Sequence, residues 1–275
     1  MTSMIPEVYV PLTGEEITVD WLQKEVLRNE ISQPFRVLKC DTKCITKKDA
    51  RDGFTSVLYT VDVDVKIEDE RFTRTYNLLA KLYPTNEFHQ AMVRRPRFFE
   101  REIHMYTKLL DQMRNAQKLT KKNDPPLEPL WAKCYYTCTN YSKEISGLIL
   151  ENLTTSGFTI MNKRIGLDFD HLSLALKAFA RSHALAYNVK TVFGIEAYLL
   201  ENIMVLDNIY DLWKGMFDSV FQSTVIDKLR ENGKNELADK CQAFKESGGE
   251  MGIYAYLSKA FRREHRMRYG FLLTH

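Results

Sequence analysis

The chain has 275 residues, of which 44% are hydrophobic and 27% are charged, so it holds enough apolar material for one large domain or two ordinary ones. Its 39 Lys and Arg nearly balance its 36 Asp and Glu, which leaves a formal net charge of +3. Such a small net charge provides no strong positive field for a polyanion, and we expect no nucleic acid partner. No stretch approaches the roughly 18 consecutive apolar residues that a membrane span needs, so we predict no such span.

The N-terminal sequence and the cysteines favour a cytoplasmic protein. MTSMIPEVYVPLTGEE lacks the charged and apolar regions of a secretory signal peptide. Five cysteines, an odd number, favour reduced thiols over a disulfide framework. Cys134 and Cys138 lie in a strand-like run, where four strand steps separate them by roughly 13 Å. We therefore predict no metal site at these cysteines.

The first part of the chain predicts one helix followed by antiparallel strands. Residues Thr18 to Ile31 show apolar residues at helical spacing, and Gln33-Pro34 is expected to end this helix. In TSVLYTVDVDVKI the apolar residues from Val61 to Ile67 alternate with charged ones, which is typical of a half-buried strand. The turn Glu68-Asp69-Glu70 then returns the chain through RFTRTYNLLAKLY, a strand that Pro84 is expected to end.

The rest of the chain combines helical and strand-like patterns. The apolar residues from Arg97 to about Asn115 fall on one side of a helical projection, which predicts an amphipathic helix. Two strand-like runs begin at Trp131 and Gly147. Asp168 to about Asn188 predicts a helix with one apolar stripe made of Leu172, Leu176, Phe179, His183 and Ala186. After this helix the chain is mainly helical, with a turn predicted at Asn232-Gly233.

This order of elements predicts an α+β fold with two subdomains, because a group of strands is followed by a group of helices. We divide the chain into an N-terminal helical extension (1–35), a lobe built on an antiparallel sheet with one inserted helix (36–150) and a helical C-terminal part (151–275).

Two side chains carry a charge into apolar surroundings. Lys81 is the sole charge in the apolar run LLAKLY, and Glu102 lies on the apolar side of the following helix. A buried unpaired charge costs several kcal/mol, so the simplest expectation is that the two side chains form an ion pair. A strand lysine paired with a helix glutamate is the arrangement with which protein kinases hold the α- and β-phosphates of ATP. From these residues alone an alternative stays open, in which Lys81 reaches solvent and Glu102 caps a backbone group.

Two further stretches are candidate nucleotide contacts. RDGFTSV precedes a predicted strand, and the backbone amides of Gly53 and Ser56 could approach a phosphate, although an ordinary hairpin turn would look the same. LILENLTTSGF is typical of a buried strand that runs into a connector. In a kinase-like architecture the backbone of Glu151, Asn152 and Leu153 would face adenine, whereas the alternative is an ordinary turn after a buried strand.

Five stretches, in their order and spacing, resemble the ecdysteroid kinase-like family, which is related to choline kinases and aminoglycoside phosphotransferases: RDGFTSVLYTVDV, LLAKLYP, FFEREIHMYTKLL, LILENLTTSGF and GLDFDHLSLALKAFARSHALA. The resemblance extends from about residue 36 to residue 190, and more loosely to the end. It implies a protein kinase-like fold of two lobes, in which the sheet lobe is followed by an incomplete helical lobe.

The resemblance also implies roles for individual residues. Lys81 would bind phosphate with Glu102 as its helix partner, Gly53 and Ser56 would belong to the phosphate loop, and Glu151 to Leu153 would form the adenine-binding hinge. It further implies ATP and magnesium as cofactors, and a hydroxyl of a small lipophilic compound such as an ecdysteroid as the phosphoryl acceptor.

The family continues a strand like GFLLTH into a catalytic loop that reads His-Gly-Asp, a few residues and then Asn, followed by a second Asp motif. In such enzymes the first Asp accepts the proton of the substrate hydroxyl, and the Asn and second Asp hold magnesium. This sequence matches the loop at His275 and stops there. We therefore expect a truncated, inactive form of an ATP-dependent small-molecule O-phosphotransferase that lacks the catalytic Asp and the magnesium ligands.

Two other classes of protein remain as alternatives. One is a non-catalytic pseudokinase that binds a nucleotide or a partner protein. The other is an unrelated α+β ligand-binding protein, which would not depend on Lys81 and Glu102 as a pair.

Overall fold

The computed structural model describes residues 7–46, 55–94, 97–120, 125–128, 130–162, 164–194 and 219–247. The chain divides into two compact units, Met1–Leu185 and Ala186–His275. The stretch GFLLTH, which ends at the predicted catalytic-loop residue His275, lies outside the described residues.

The first unit is built on one antiparallel sheet of five strands in the order β1-β2-β3-β5-β4. The strands are β1 (Phe35–Cys44), β2 (Val57–Ile67), β3 (Thr73–Leu82), β4 (Cys134–Asn140) and β5 (Ile145–Glu151). Because β5 pairs with β3, the chain leaves the sheet after β3, forms helices, and returns at the edge strand β4. The α+β fold class is confirmed.

The N-terminal residues cover one face of this sheet. A short helix, α1 (Val19–Trp21), continues as a π-helical turn (Leu22–Val26). Side chains of this segment form one buried cluster with strand residues, among them Trp21, Leu22, Val26, Leu27, Val61, Val63, Val65, Leu78, Ala80 and Leu82. The alternation predicted for β2 is also confirmed, since its inward valines are fully buried while Asp62 is exposed.

The N-terminal helix is shorter than predicted. Its last turn closes with a hydrogen bond of 2.9 Å from the Leu27 amide to the Leu22 carbonyl, and the amides of Glu30 and Ile31 then donate to the Leu27 carbonyl. Leu27 and Ile31 are nevertheless buried, at 0% and 5% exposure. The apolar spacing therefore continued past the end of the helix because the following loop also faces the core.

Polar contacts fasten the N-terminal residues to the sheet. The Asn140 side chain, at the end of β4, donates to Glu7 Oε1 at 3.1 Å and to the Val8 carbonyl at 3.0 Å.

Close packing occurs at Gly14, where a β-carbon would lie only 2.8 Å from the ring of Tyr59 on β2. A larger residue at this position would push the segment away from the sheet.

Helices between β3 and β4 pack on the other face. They comprise α2 (Glu87–Arg94), α3 (Phe98–His104), a π-helical turn (Met105–Leu109) and α4 (Leu110–Thr120). The last three form one continuous helix, which runs five residues beyond the predicted Asn115. Their buried side chains meet the sheet in a second cluster that contains Tyr83, Val93, Phe99, Leu148 and Leu150.

Helix α2 was not predicted. It begins at Asn86, whose side-chain oxygen accepts hydrogen bonds from the amides of Phe88 and His89 at 3.0 and 3.3 Å. Asn at this position is a preferred N-cap. The helix has only eight residues, of which one, Val93, is buried, so it offers too short a pattern to indicate a helix.

Beyond β5 the chain forms a 3₁₀ turn (Leu153–Ser156) and a long helix, α5 (Phe169–Phe193). Of the predicted stripe on α5, Leu172, Leu176 and Phe179 are exposed and Ala186 is buried. In the second unit a π-helical turn (Phe221–Ile226) leads into α6 (Asp227–Glu231) and α7 (Asn235–Glu246). Gly233, with a φ of 70°, forms the predicted turn between them.

None of the helices described above is long and apolar enough to cross a lipid bilayer.

Candidate functional site

Lys81 occupies the last part of β3, where the two faces of the sheet have different surroundings. Its neighbours Ala80 and Leu82 are fully buried under the N-terminal residues. Because side chains alternate along a strand, Lys81 points to the opposite face, where the helices pack. Leu79 lies two residues earlier on that same face and packs against the cluster around Phe99.

The expected ion pair is present. Lys81 Nζ lies 2.5 Å from Glu102 Oε2, and 5.9 Å from the centre of the Phe99 ring. The side chains of Lys81 and Glu102 retain 24% and 26% exposure, so the pair is only partly buried. This exposure matters chemically, because a further anion can approach the ammonium without first unfolding the lobe.

An aromatic pair, Tyr106 and Trp131, lies on the C-terminal side of Glu102 in the sequence. Tyr106 follows Glu102 by one helical turn, and its ring packs edge to face on Trp131 with 6.0 Å between centres and 84° between planes. Burial first, and then the nearby Glu102 carboxylate, raise the pKa of the Tyr106 hydroxyl. Burial raises the pKa of the neighbouring Cys134 thiol to about 11, which keeps it protonated. Tyr106 is not among the predicted site residues, and its spacing of four residues from Glu102 is its sole signal in the sequence.

The connection between β1 and β2 ends beside Lys81. Leu58 is the direct β2 partner of Lys81, and Val57 is the partner of Leu82. Ser56 immediately precedes this pairing and is buried, with 5% exposure. The other predicted phosphate-loop residue, Gly53, lies outside the described residues.

The predicted hinge begins with Glu151, the last residue of β5. The Glu151 amide donates to the Lys133 carbonyl at 2.7 Å, and the Asn152 amide donates to the Asn77 carbonyl at 3.1 Å. The Leu153 amide is in the first position of the 3₁₀ turn, where no intrahelical carbonyl is available. Within the described part of the chain it makes no hydrogen bond.

Asn152 holds the hinge in this conformation. Its side chain is buried, and its Oδ1 accepts hydrogen bonds from the Thr154 amide at 3.2 Å and from the Thr154 hydroxyl at 2.6 Å. Its carbonyl accepts from the Thr155 amide at 3.2 Å. These hydrogen bonds link the end of β5 to the 3₁₀ turn.

Metal ligands are absent from the described residues: no three His, Cys, Asp or Glu side chains there are arranged to hold an ion. All five cysteines are unpaired thiols.

The family was tested by comparison with known proteins. A model of the ecdysteroid kinase-like family matches residues 50–263. The chain belongs to the ecdysteroid kinase-like family. The matched range includes Lys81, Glu102 and residues 151–153, but it leaves out α1 and β1. Searches of curated proteins and of solved structures gave no match.

Family membership agrees with the architecture. A five-stranded antiparallel sheet, with a lysine on its third strand paired to the helix that precedes the fourth, is consistent with an α+β kinase-like fold. At a coarse level the family suggests a kinase-like phosphotransferase that acts on small molecules. The roles of the individual residues in nucleotide binding stay predictions.

Proposed function

We propose that this protein binds ATP through Lys81 and Glu102, as part of a small-molecule O-phosphotransferase of the ecdysteroid kinase-like family. The observation that carries the proposal is the 2.5 Å ion pair at partial exposure. A charged lysine held by one carboxylate, with a quarter of its surface still accessible, is suited to bind a phosphate oxygen in addition.

The hinge supports the same ligand. Adenine offers both a donor and acceptors at its edge, and the Leu153 amide is a backbone donor without a partner among the described residues. Leu79 lies two residues before Lys81 on the same face of β3, roughly 7 Å along the strand. An apolar side chain there provides a surface for the flat base, while Lys81 contacts the phosphates.

The chemistry that follows is transfer of the γ-phosphoryl group to a hydroxyl. A bond forms between the acceptor oxygen and the γ-phosphorus, the bond from the γ-phosphorus to the β-phosphate oxygen breaks, ADP leaves, and the proton of the hydroxyl passes to water. Magnesium neutralises phosphate charge in kinase-like enzymes. The acceptor is a small lipophilic alcohol, for which an ecdysteroid is the first compound to test.

ATP affinity of the purified protein tests the nucleotide site. Lys81→Met is expected to weaken ATP binding by about 10- to 150-fold, since a hydrogen bond to a charged group contributes about 1.5–3 kcal/mol. Lys143→Met is the matched control, because Lys143 also forms an ion pair, with Glu7 at 2.9 Å, but in the turn between β4 and β5. Its ATP affinity should stay within about twofold of the wild type.

Two results would overturn the proposal. One is a folded wild-type protein that shows no ATP binding by titration calorimetry, and the other is Lys81→Met binding ATP as tightly as the wild type. Phosphoryl transfer needs a separate measurement, by mass spectrometry of an ecdysteroid incubated with ATP and magnesium. A phosphate ester supports the enzyme, whereas tight ATP binding without any ester would identify a non-catalytic nucleotide-binding protein.

A further inference from the structure

The helix that carries Glu102 changes geometry three residues after Glu102, where a π-helical turn begins at Met105. The Met105 amide donates to the carbonyls of both Arg101 and Glu102, and the Leu110 amide reaches back five residues to the Met105 carbonyl. Widened turns of this kind occur frequently at functional sites, and this chain also has them at Leu22–Val26 and Phe221–Ile226. Tyr106 is the second residue of the widened turn that begins at Met105.

Tyr106 follows Glu102 by four residues along the helix and packs on the face of the sheet that the helices cover. Its ring packs against the buried cluster that contains Phe99, Leu148 and Leu150. It also meets Trp131 edge to face, in the arrangement that aromatic rings prefer. The indole nitrogen of Trp131 is buried and makes no hydrogen bond within the described residues, so this contact engages Trp131 through its ring.

Glu102 needs such support because its own side chain is flexible. A glutamate loses rotamer freedom when it is held in one position, and 26% of the Glu102 side chain is exposed. Its Oε2 accepts a hydrogen bond from Lys81 Nζ. A fixed neighbour on the same helix reduces the positions that the carboxylate can take.

We propose that Tyr106 is a positioning residue, which packs on Trp131 and thereby holds Glu102 in place to orient Lys81. The proposal rests on the proposed function in so far as the oriented lysine binds ATP. Burial and the Glu102 carboxylate both keep the phenol in its neutral form, so the two groups can lie close together without repulsion between charges.

The experiment compares three variants in two backgrounds. Tyr106→Leu removes the aromatic ring, and Tyr106→Phe keeps it. Tyr76→Leu is the matched control, because Tyr76 forms a similar edge-to-face pair with Tyr135, at 6.2 Å and 88°, on the other face of the sheet. Each variant is made in the wild type and in Glu102→Gln, and ATP affinity is measured by titration calorimetry.

Tyr106→Leu is expected to weaken ATP binding about tenfold in the wild type and less than about twofold in Glu102→Gln, because residues that act through one another are not additive. Tyr106→Phe should restore affinity to within about twofold of the wild type, and Tyr76→Leu should not change it beyond this range. An equal loss from Tyr106→Leu in both backgrounds, or no loss in either, overturns the proposal.

A second measurement does not depend on ATP. Urea denaturation of the single and double variants gives the coupling free energy between Lys81→Met and Glu102→Gln. This cycle is measured once with Tyr106 present and once in the Tyr106→Leu background. The coupling should fall to less than about half in the Leu background, and an unchanged coupling overturns the proposal. If the wild type binds no ATP, the proposed function fails, while this cycle still decides whether Tyr106 positions Glu102.

Discussion

Leu22 allows a direct test of how much the N-terminal segment contributes to the stability of the sheet lobe. Its side chain is fully buried, at 0% exposure, within the cluster that the segment forms with the sheet. Leu22→Ala removes three carbon atoms, which at about 0.8 kcal/mol for each buried methylene amounts to about 2.4 kcal/mol. The cavity left behind adds to this loss, so we expect the free energy of unfolding to fall by about 3–4 kcal/mol.

This magnitude is large compared with the stability of an ordinary domain, about 5–15 kcal/mol. Val19→Ala is the matched control, since Val19 lies on α1 with 39% exposure. Its effect should stay below about 1 kcal/mol. Urea denaturation, followed by circular dichroism at constant pH, measures both. A loss below about 1 kcal/mol for Leu22→Ala would refute the conclusion that the N-terminal residues belong to the core of the lobe.

Two further predictions concern ionisable groups. Hydrogen bonds from the amide and side chain of His171 lower the pKa of Asp168 below its ordinary value of 3.8. The stabilisation of the folded state by Asp168 is therefore complete above that value and is lost as the pH falls through the lowered pKa, so the difference in melting temperature between the wild type and Asp168→Asn should vanish in strong acid. Burial raises the pKa of Cys138 to about 12, whereas Cys44 is exposed. Ellman's reagent at pH 8 should label Cys44 in the native protein and Cys138 only after unfolding, and rapid native labelling of Cys138 would contradict the burial.

Two features of the fold could be predicted from the sequence because short stretches of it carry a clear pattern. Alternation from Val61 to Ile67 identified β2, because a strand with one buried face has a period of two. The isolated charges of Lys81 and Glu102 indicated the ion pair, since neither is stable unpaired in apolar surroundings. Both inferences depend on local composition, and neither needs the tertiary arrangement.

Other features depend on contacts that are distant in the sequence. The helix at Thr18 was predicted too long because Leu27 and Ile31 are buried by the sheet without being helical. Tyr106 was missed because its significance depends on Trp131, twenty-five residues later, and on a widened turn that has no sequence signature. The hydrogen bonds of the hinge likewise involve Asn77, on a strand far away in the chain.

The edge strand β1 has a consequence for how the protein can be divided. It is rich in exposed charged residues and carries an irregularity in its pairing between Val37 and Lys39, both of which discourage another chain from adding to the sheet. A fragment that starts at residue 50, where the family match begins, would lose this strand and leave the backbone groups of β2 unpaired. It would also uncover the row of valines on that strand. We expect such a fragment to form intermolecular sheets, so the first fifty residues should be kept in any recombinant form of this protein.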